Sequence, residues 1–218
     1  MLFDAYGTLF DVYSVGLLAE QLFPGSGDQL AILWRDKQID YTRLLTLSGR
    51  YKRFWDITRD GLRYAAQRLQ LPLDTTAEER LMNQYRHLSA FPENLEVLRA
   101  LKARGVPTGI LSNGDPEMLG VAVRSAGLAA WLDHVISVDA VQRFKTDPEA
   151  YSLGLKALEL PAHEILFVSS NGWDAIGATW YGYTTLWVNR AGLPMEQLDT
   201  QPTRVGTSLM DVLPFFPG

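Results

Sequence analysis

The chain has 218 residues, a formal net charge of −5, 47% hydrophobic and 21% charged residues, and no cysteine. That is enough chain to bury a large core, while the acidic balance and the lack of any Lys/Arg block argue against a nucleic-acid surface. Without cysteine there is no disulfide, thiolate chemistry or cysteine metal site, which fits a reducing, cytoplasmic setting. No apolar run approaches the ~20 residues that span a bilayer, and no basic segment precedes an apolar one at the N-terminus, so neither a membrane anchor nor a signal peptide is expected.

The first element is Phe3-Asp4-Ala5-Tyr6-Gly7-Thr8-Leu9-Phe10. An apolar run ends in a carboxylate, with a glycine and a hydroxyl soon after, which is the pattern of a strand delivering Asp4 to its C-terminal edge. Only Met1, Leu2 and Phe3 precede Asp4, short for a central strand, so a few native residues are expected before this numbering. From Asp11 to about Ala90 the reading is helical throughout. Ser14 to Phe23 stops at Pro24-Gly25; a second helix follows Asp28 through Leu33, Trp34 and Ile39 towards Leu45; a third covers Tyr51 to Leu71. Thr76 and Glu79 have capping-box spacing and open a fourth. Gly25-Ser26-Gly27 lacks the third glycine of a dinucleotide loop and reads as a turn.

From Phe91 helices and short apolar strands alternate. Glu93 to Arg104 is a helix, followed by strand Thr108 to Leu111; Asp115-Pro116 and Asp147-Pro148 read as N-cap and first helical residue. Strands His134 to Val138, Ile165 to Val168 and Thr184 to Val188 complete the series. This alternation predicts an α/β fold, a Rossmann-like parallel sheet with helices on both faces. Its core is residues 1–10 plus 91–218, and residues 11–90 form a helical cap of four helices inserted after the first strand.

Chemistry-bearing residues recur at strand ends: Asp4 and Thr8, Ser112 and Asn113, the turn with Lys145, and Ser169-Ser170-Asn171-Gly172-Trp173-Asp174. Such ends line the ligand edge of an open α/β sheet. Taken singly, Asp4 would cap a turn, Lys145 would be an exposed lysine at a helix start, and Asp174 would favour a helix N-terminus. In this order the set resembles the haloacid dehalogenase superfamily, and within it the L-2-haloacid dehalogenases, over nearly the whole chain.

The resemblance implies that Asp4 is a nucleophile of covalent catalysis. It would displace halide from short L-2-haloalkanoic acids, and water would cleave the ester to a D-2-hydroxy acid. Lys145 keeps Asp4 ionised; Asp174, helped by Ser169 and Asn171, activates water; Thr8 completes the nucleophile motif. Ser112 and the backbone amides of Tyr6 and Asn113 would hold the substrate carboxylate. Arg35 would bind halide with Asn113 and the ring edge of Trp173. Tyr6, Ile39, Phe54 and Trp173 would wall the 2-substituent. No metal and no cofactor are expected, the substrate is the only small-molecule partner, and a homodimer through the cap is implied.

Two residues depart from the family pattern: Thr146 stands where proline is usual, and Asp36 beside Arg35 where glutamine is common. Asp36 is expected either to repel an anionic substrate or to pair with Arg35. Rival readings are a Mg-dependent phosphatase and a catalytically quiet binding module. The first needs a leaving-group acid two residues after the nucleophile, where this chain has Tyr6, and more oxygen ligands than the loop ending in Asp174 offers. The intact Asp4, Lys145 and Asp174 weigh against the second. His87, His134 and His163 are scattered and read as structural or surface.

Overall fold

The computed structural model describes residues 1–217. Six parallel strands form one sheet: β1 (Leu2–Phe3), β2 (Gly109–Ser112), β3 (His134–Ser137), β4 (Leu166–Ser169), β5 (Thr184–Val188) and β6 (Arg204–Gly206), in the order β3-β2-β1-β4-β5-β6. The expected parallel α/β sheet is present, with boundaries one residue later at β2 and β4 and one residue shorter at β3. β6 was not foreseen, because three half-exposed or exposed residues give too short a run for an apolar period.

β1 pairs with β2 on one side and β4 on the other, with Phe3 opposite both Ile110 and Val168. The chain leaves β1 in both directions, so its carboxyl end is the switch point where an open α/β sheet exposes a crevice. Asp4 is the next residue. Its amide still donates to Val168 O at 2.8 Å, which anchors the start of the turn. Gly7 has φ +95°, and a side chain there would press within 3.3 Å of Asn171 Nδ2, so glycine serves both the turn and the close approach of the next loop.

Five α-helices lie between β1 and β2 in the chain, and the first four are α1 (Gly16–Leu22), α2 (Gly27–Leu47), α3 (Phe54–Arg68) and α4 (Thr75–Arg86). The capping-box expectation at Thr76 is corrected: Asp74 is the N-cap and accepts from Ala77 N at 2.7 Å, so α4 starts one residue before Thr76. Asp74 wins because its carboxylate reaches the N3 amide from an extended backbone, and an anion there also suits the helix dipole. Along α2 the buried face carries Ala31, Trp34, Arg35, Gln38 and Thr42. Three of those five are polar, and buried polar groups on an amphipathic helix call for partners.

The remaining helices are α5 (Asn94–Ala103), α6 (Pro116–Ser125), α7 (Pro148–Leu158) and α8 (Gly172–Tyr181). Asp115 and Asp147 cap α6 and α7 as expected. Asp115 does more: its buried carboxylate also accepts from Trp55 N at 3.1 Å and Arg53 Nη2 at 3.3 Å, so one side chain ties the start of α3 to the start of α6. A second tie joins α2 to the segment before α7, where Thr46 Oγ1 accepts from Phe144 N at 3.1 Å and Thr46 O from Arg143 Nη1 at 3.0 Å. No helix among the described residues is long and apolar enough to cross a membrane.

Candidate active site

The expected site residues converge at the carboxyl ends of β1, β2 and β4. Asp4 is 6% exposed and both its oxygens are engaged. Oδ1 accepts from Lys145 Nζ at 3.0 Å; Oδ2 accepts from Asn171 Nδ2 at 2.8 Å and Thr8 Oγ1 at 3.1 Å. These donors hold the carboxylate in one orientation. Thr8 Oγ1 also accepts from Ser170 N at 2.8 Å, which locks the turn after β1 to the turn after β4. Ser169 Oγ accepts from Asn171 N at 3.1 Å, so Ser169 shapes the loop that carries Asn171.

Lys145 Nζ is shared equally, 3.0 Å from Asp4 Oδ1 and 3.0 Å from Asp174 Oδ2. Burial alone would lower the ammonium's pKa, but the charges of Asp174 and Asp4, with hydrogen bonds to both, hold it above the ordinary lysine value. With Thr146 as the next residue, its side chain packed against Gly177 of α8, Lys145 still reaches both carboxylates. Asp174 is pushed up to about 6, chiefly by complete burial, against the pull of Lys145 and with a further push from the negative charge of Asp4. Its second oxygen accepts from Tyr151 Oη at 2.8 Å.

A cavity of about 10 Å³ adjoins Asp4, roughly the room that one water needs. It is lined by Asp4, Tyr6, Arg35, Ile39, Thr42, Phe54, Ser112, Asn113 and Trp173. Every residue expected to touch substrate or halide is therefore brought to one hollow, Phe54 included. Asp174, Ser169, Thr8, Lys145 and Asn171 stand behind that lining. A larger hollow of about 350 Å³ lies along Met195–Gln201, but a single loop lines it and it holds no cation.

The walls differ in character. Ser112 Oγ accepts from Gly114 N at 3.1 Å, which leaves its proton free to donate into the cavity. Asn113 Oδ1 accepts from Lys145 N at 2.9 Å, so this side chain is fixed by the lysine loop. The Tyr6 ring packs against Phe54 and Tyr85, with ring centres 5.6 and 5.8 Å apart. Trp173 is flanked by the guanidinium of Arg43, 5.3 Å from its ring centre.

Of the two alternatives for Asp36, pairing with Arg35 is not found. One step along a helix turns a side chain by about 100°, and this puts Asp36 on the exposed face while Arg35 faces inward. Arg35 donates instead to Gln38 Oε1 at 2.7 Å, Tyr6 O at 3.0 Å and Asn171 Oδ1 at 3.4 Å.

Sequence reasoning missed Thr42, Gln38 and Tyr151. Thr42 and Gln38 lie seven and three residues after Arg35 on α2, so the helical period that places Ile39 in the wall could have found both. Tyr151 gave no such signal, because it reaches Asp174 only through the packing of α7 on α8. A side chain at Gly177 would come within 2.6 Å of Tyr151 Oη, so glycine there admits the close approach. Among the described residues no group of three or more His, Asp and Glu side chains could hold a metal ion.

Comparison with known proteins agrees with this geometry. The family model described as haloacid dehalogenase-like hydrolase matches residues 1–182. An (S)-2-haloacid dehalogenase of Pseudomonas sp. (strain YL) is 44% identical over 98% of this chain and 92% of its own. A haloacetate dehalogenase, H-2, of Moraxella sp. (strain B) is 41% identical over 92% of this chain and 89% of its own. The solved L-2-haloacid dehalogenase of Xanthobacter autotrophicus with chloropropionic acid covalently bound superposes with a TM-score of 0.90, at 36% identity over 97% of this chain and 95% of that one. With this coverage and this convergence at one sheet edge, the chain belongs to the haloacid dehalogenase-like hydrolases, in their L-2-haloacid dehalogenase branch.

Proposed function

We propose that this hydrolase of carbon–halogen bonds converts short L-2-haloacids to D-2-hydroxy acids through an ester on Asp4. The observation that carries the reading is the Asp4 carboxylate, oriented by three donors and facing a cavity that also holds a buried guanidinium. In the first step an Asp4 oxygen attacks the carbon bearing the halogen from behind. The carbon–oxygen bond forms as the carbon–halogen bond breaks, and the halide leaves with the electron pair towards Arg35, Asn113 and Trp173. No leaving-group acid is needed, which suits Tyr6 at the place where a phosphatase would require one.

In the second step water attacks the carbonyl carbon of the Asp4 ester, and the hydroxy acid departs as the carboxylate is restored. Asp174 is the base in this reading. Each of its oxygens keeps a lone pair after the bonds to Lys145 and Tyr151, and a value near 6 sits close to working pH for proton transfer. Ser169 and Asn171 hold the loop on which that water would rest.

Stereoselectivity follows from three anchors. Ser112 and Asn113 take the substrate carboxylate, Arg35 takes the halogen, and Ile39, Thr42 and Phe54 leave one side for the 2-substituent. The mirror-image acid would have to exchange two of these. Residues 11–90 act as a cap over a core of residues 1–10 and 91–218 in this account, and from the cap Arg35, Ile39, Thr42 and Phe54 line the cavity beside Asp4. The account includes a homodimer in the cytoplasm, supported by exposed Leu17, Leu44 and Leu47 on the cap helices and by the cysteine-free sequence.

The test is halide release from L- and D-2-chloropropionate in the presence of EDTA, beside p-nitrophenyl phosphate hydrolysis with Mg²⁺. Chloride from the L-isomer alone is expected. Phosphate release without chloride would overturn the reading.

A further inference from the structure

Arg35 is 6% exposed, yet it belongs to none of the ion pairs among the described residues. The contrast with the other cations near the site that are buried or half-buried is plain. Lys145 is divided between two carboxylates, and Arg190, which donates to Ser170 Oγ and Thr8 O, is neutralised by Glu93 at 2.9 Å. Every partner of Arg35 is an uncharged oxygen, and the nearest, at 2.7 Å, is Gln38 Oε1.

Gln38 is 0% exposed. Its amide oxygen also accepts from Tyr85 Oη at 3.0 Å, and its nitrogen donates to Thr58 Oγ1 at 2.6 Å. Thr58 in turn donates to Phe54 O at 2.7 Å. A guanidinium and a phenol facing one atom fix that atom as the amide oxygen, because the guanidinium can only donate. The side chain is thus held at both ends, inside the cap, with its dipole aimed at Arg35.

A buried cation usually ends beside a carboxylate, since desolvation is costly without compensation. A glutamine offers the same acceptor geometry with no net charge. We propose that Gln38 is a positioning residue that holds Arg35 while leaving its charge uncancelled, so that the charge is kept for an anion in the cavity, either the departing halide or the halogen end of the substrate. This rests on the reading of Arg35 as the halide-binding group. A glutamate of the same shape would satisfy Arg35 from within and compete with the halide.

The probe is bromide, measured as an inhibitor of L-2-chloropropionate turnover and by its effect on the melting temperature of the full chain. Arg35→Met, Gln38→Glu and Gln38→Met are compared with the unsubstituted protein. Arg35→Met and Gln38→Glu are expected to weaken bromide binding on the order of tenfold or more, and Gln38→Met by less than about fivefold, because only the first two remove or cancel the charge. A purely structural role for Gln38 gives the opposite order, with methionine, which makes none of the three hydrogen bonds, worse than glutamate, and that order overturns the proposal while leaving the Arg35 reading intact. Unchanged bromide affinity in Arg35→Met overturns both. Should Gln38→Glu not fold, Gln38→Met decides alone: a loss of bromide affinity of about two- to fivefold, well short of that in Arg35→Met, supports the proposal, and either unchanged affinity or a loss equal to that of Arg35→Met overturns it.

Discussion

Removing the Tyr151 hydroxyl should move the acid limb of activity to higher pH. Tyr151 Oη donates to Asp174 Oδ1 at 2.8 Å in a fully buried setting, where the proton-free carboxylate already stands at a disadvantage. A hydrogen bond to a charged group contributes about 1.5–3 kcal/mol, and about 1.4 kcal/mol corresponds to one pKa unit. Tyr151→Phe therefore takes away a bond made to the ionised form and should raise Asp174 by about one to two units from its value near 6. If Asp174 must be ionised to take a proton from water, kcat for L-2-chloropropionate should fall on the order of tenfold near pH 6. At a pH well above the new limb it should recover. The assay is a pH profile of kcat and kcat/KM for both proteins, with circular dichroism to confirm that each is folded. A limb that stays in place, with activity lowered evenly at all pH values, would refute the assignment of Asp174 as the titrating base and leave Tyr151 as a packing residue.

Further outcomes follow from the same contacts. Lys145→Met leaves Asp4 and Asp174 buried with no cation between them; it should abolish turnover and destabilise the fold by about 3–5 kcal/mol, read from urea unfolding. The raised Asp174 has a linkage consequence as well: its folded value near 6 exceeds the unfolded value of about 3.9, so the folded state binds more protons in that window and this group's contribution to stability falls as pH rises through it. Asp174→Asn should remove that component, seen as a flatter difference in melting temperature between about pH 4 and 6. Phe54→Ala opens the apolar wall of the cavity and should shift preference from chloropropionate towards longer 2-chloroacids, at a cost of about 3–5 kcal/mol in stability if the wall does not collapse; an unchanged preference would remove Phe54 from the substrate wall.

Much of this was legible in the sequence because strand-end chemistry leaves a local trace. Asp4, Ser112, Asn113, Asn171 and Trp173 each follow an apolar run within five residues, and the sheet brings such ends together whatever the helices between them do. The Asp-Pro pairs at Asp115 and Asp147 announced two helices for equally local reasons. What escaped depends on packing between distant segments. Tyr151 meets Asp174 only because Gly177 lets α7 approach α8, and Asp115 ties α3 to α6 across 60 residues of sequence. Arg35 was singled out by likeness, and of the two expectations for Asp36 beside it, repelling an anionic substrate or pairing with Arg35, the pairing is not found, because the helical period gives the contact to Gln38. β6 left no signal because an edge strand of three residues buries too little to impose one.

The most direct test of the central claim is the mass of the intact Asp174→Asn protein after incubation with L-2-chloropropionate, followed by peptide mapping. With the ester formed and its hydrolysis impaired, the account predicts a propionate adduct on the peptide that carries Asp4, accumulating with the release of one chloride per chain. Chloride released without any adduct, or an adduct mapping to a residue other than Asp4, would contradict it.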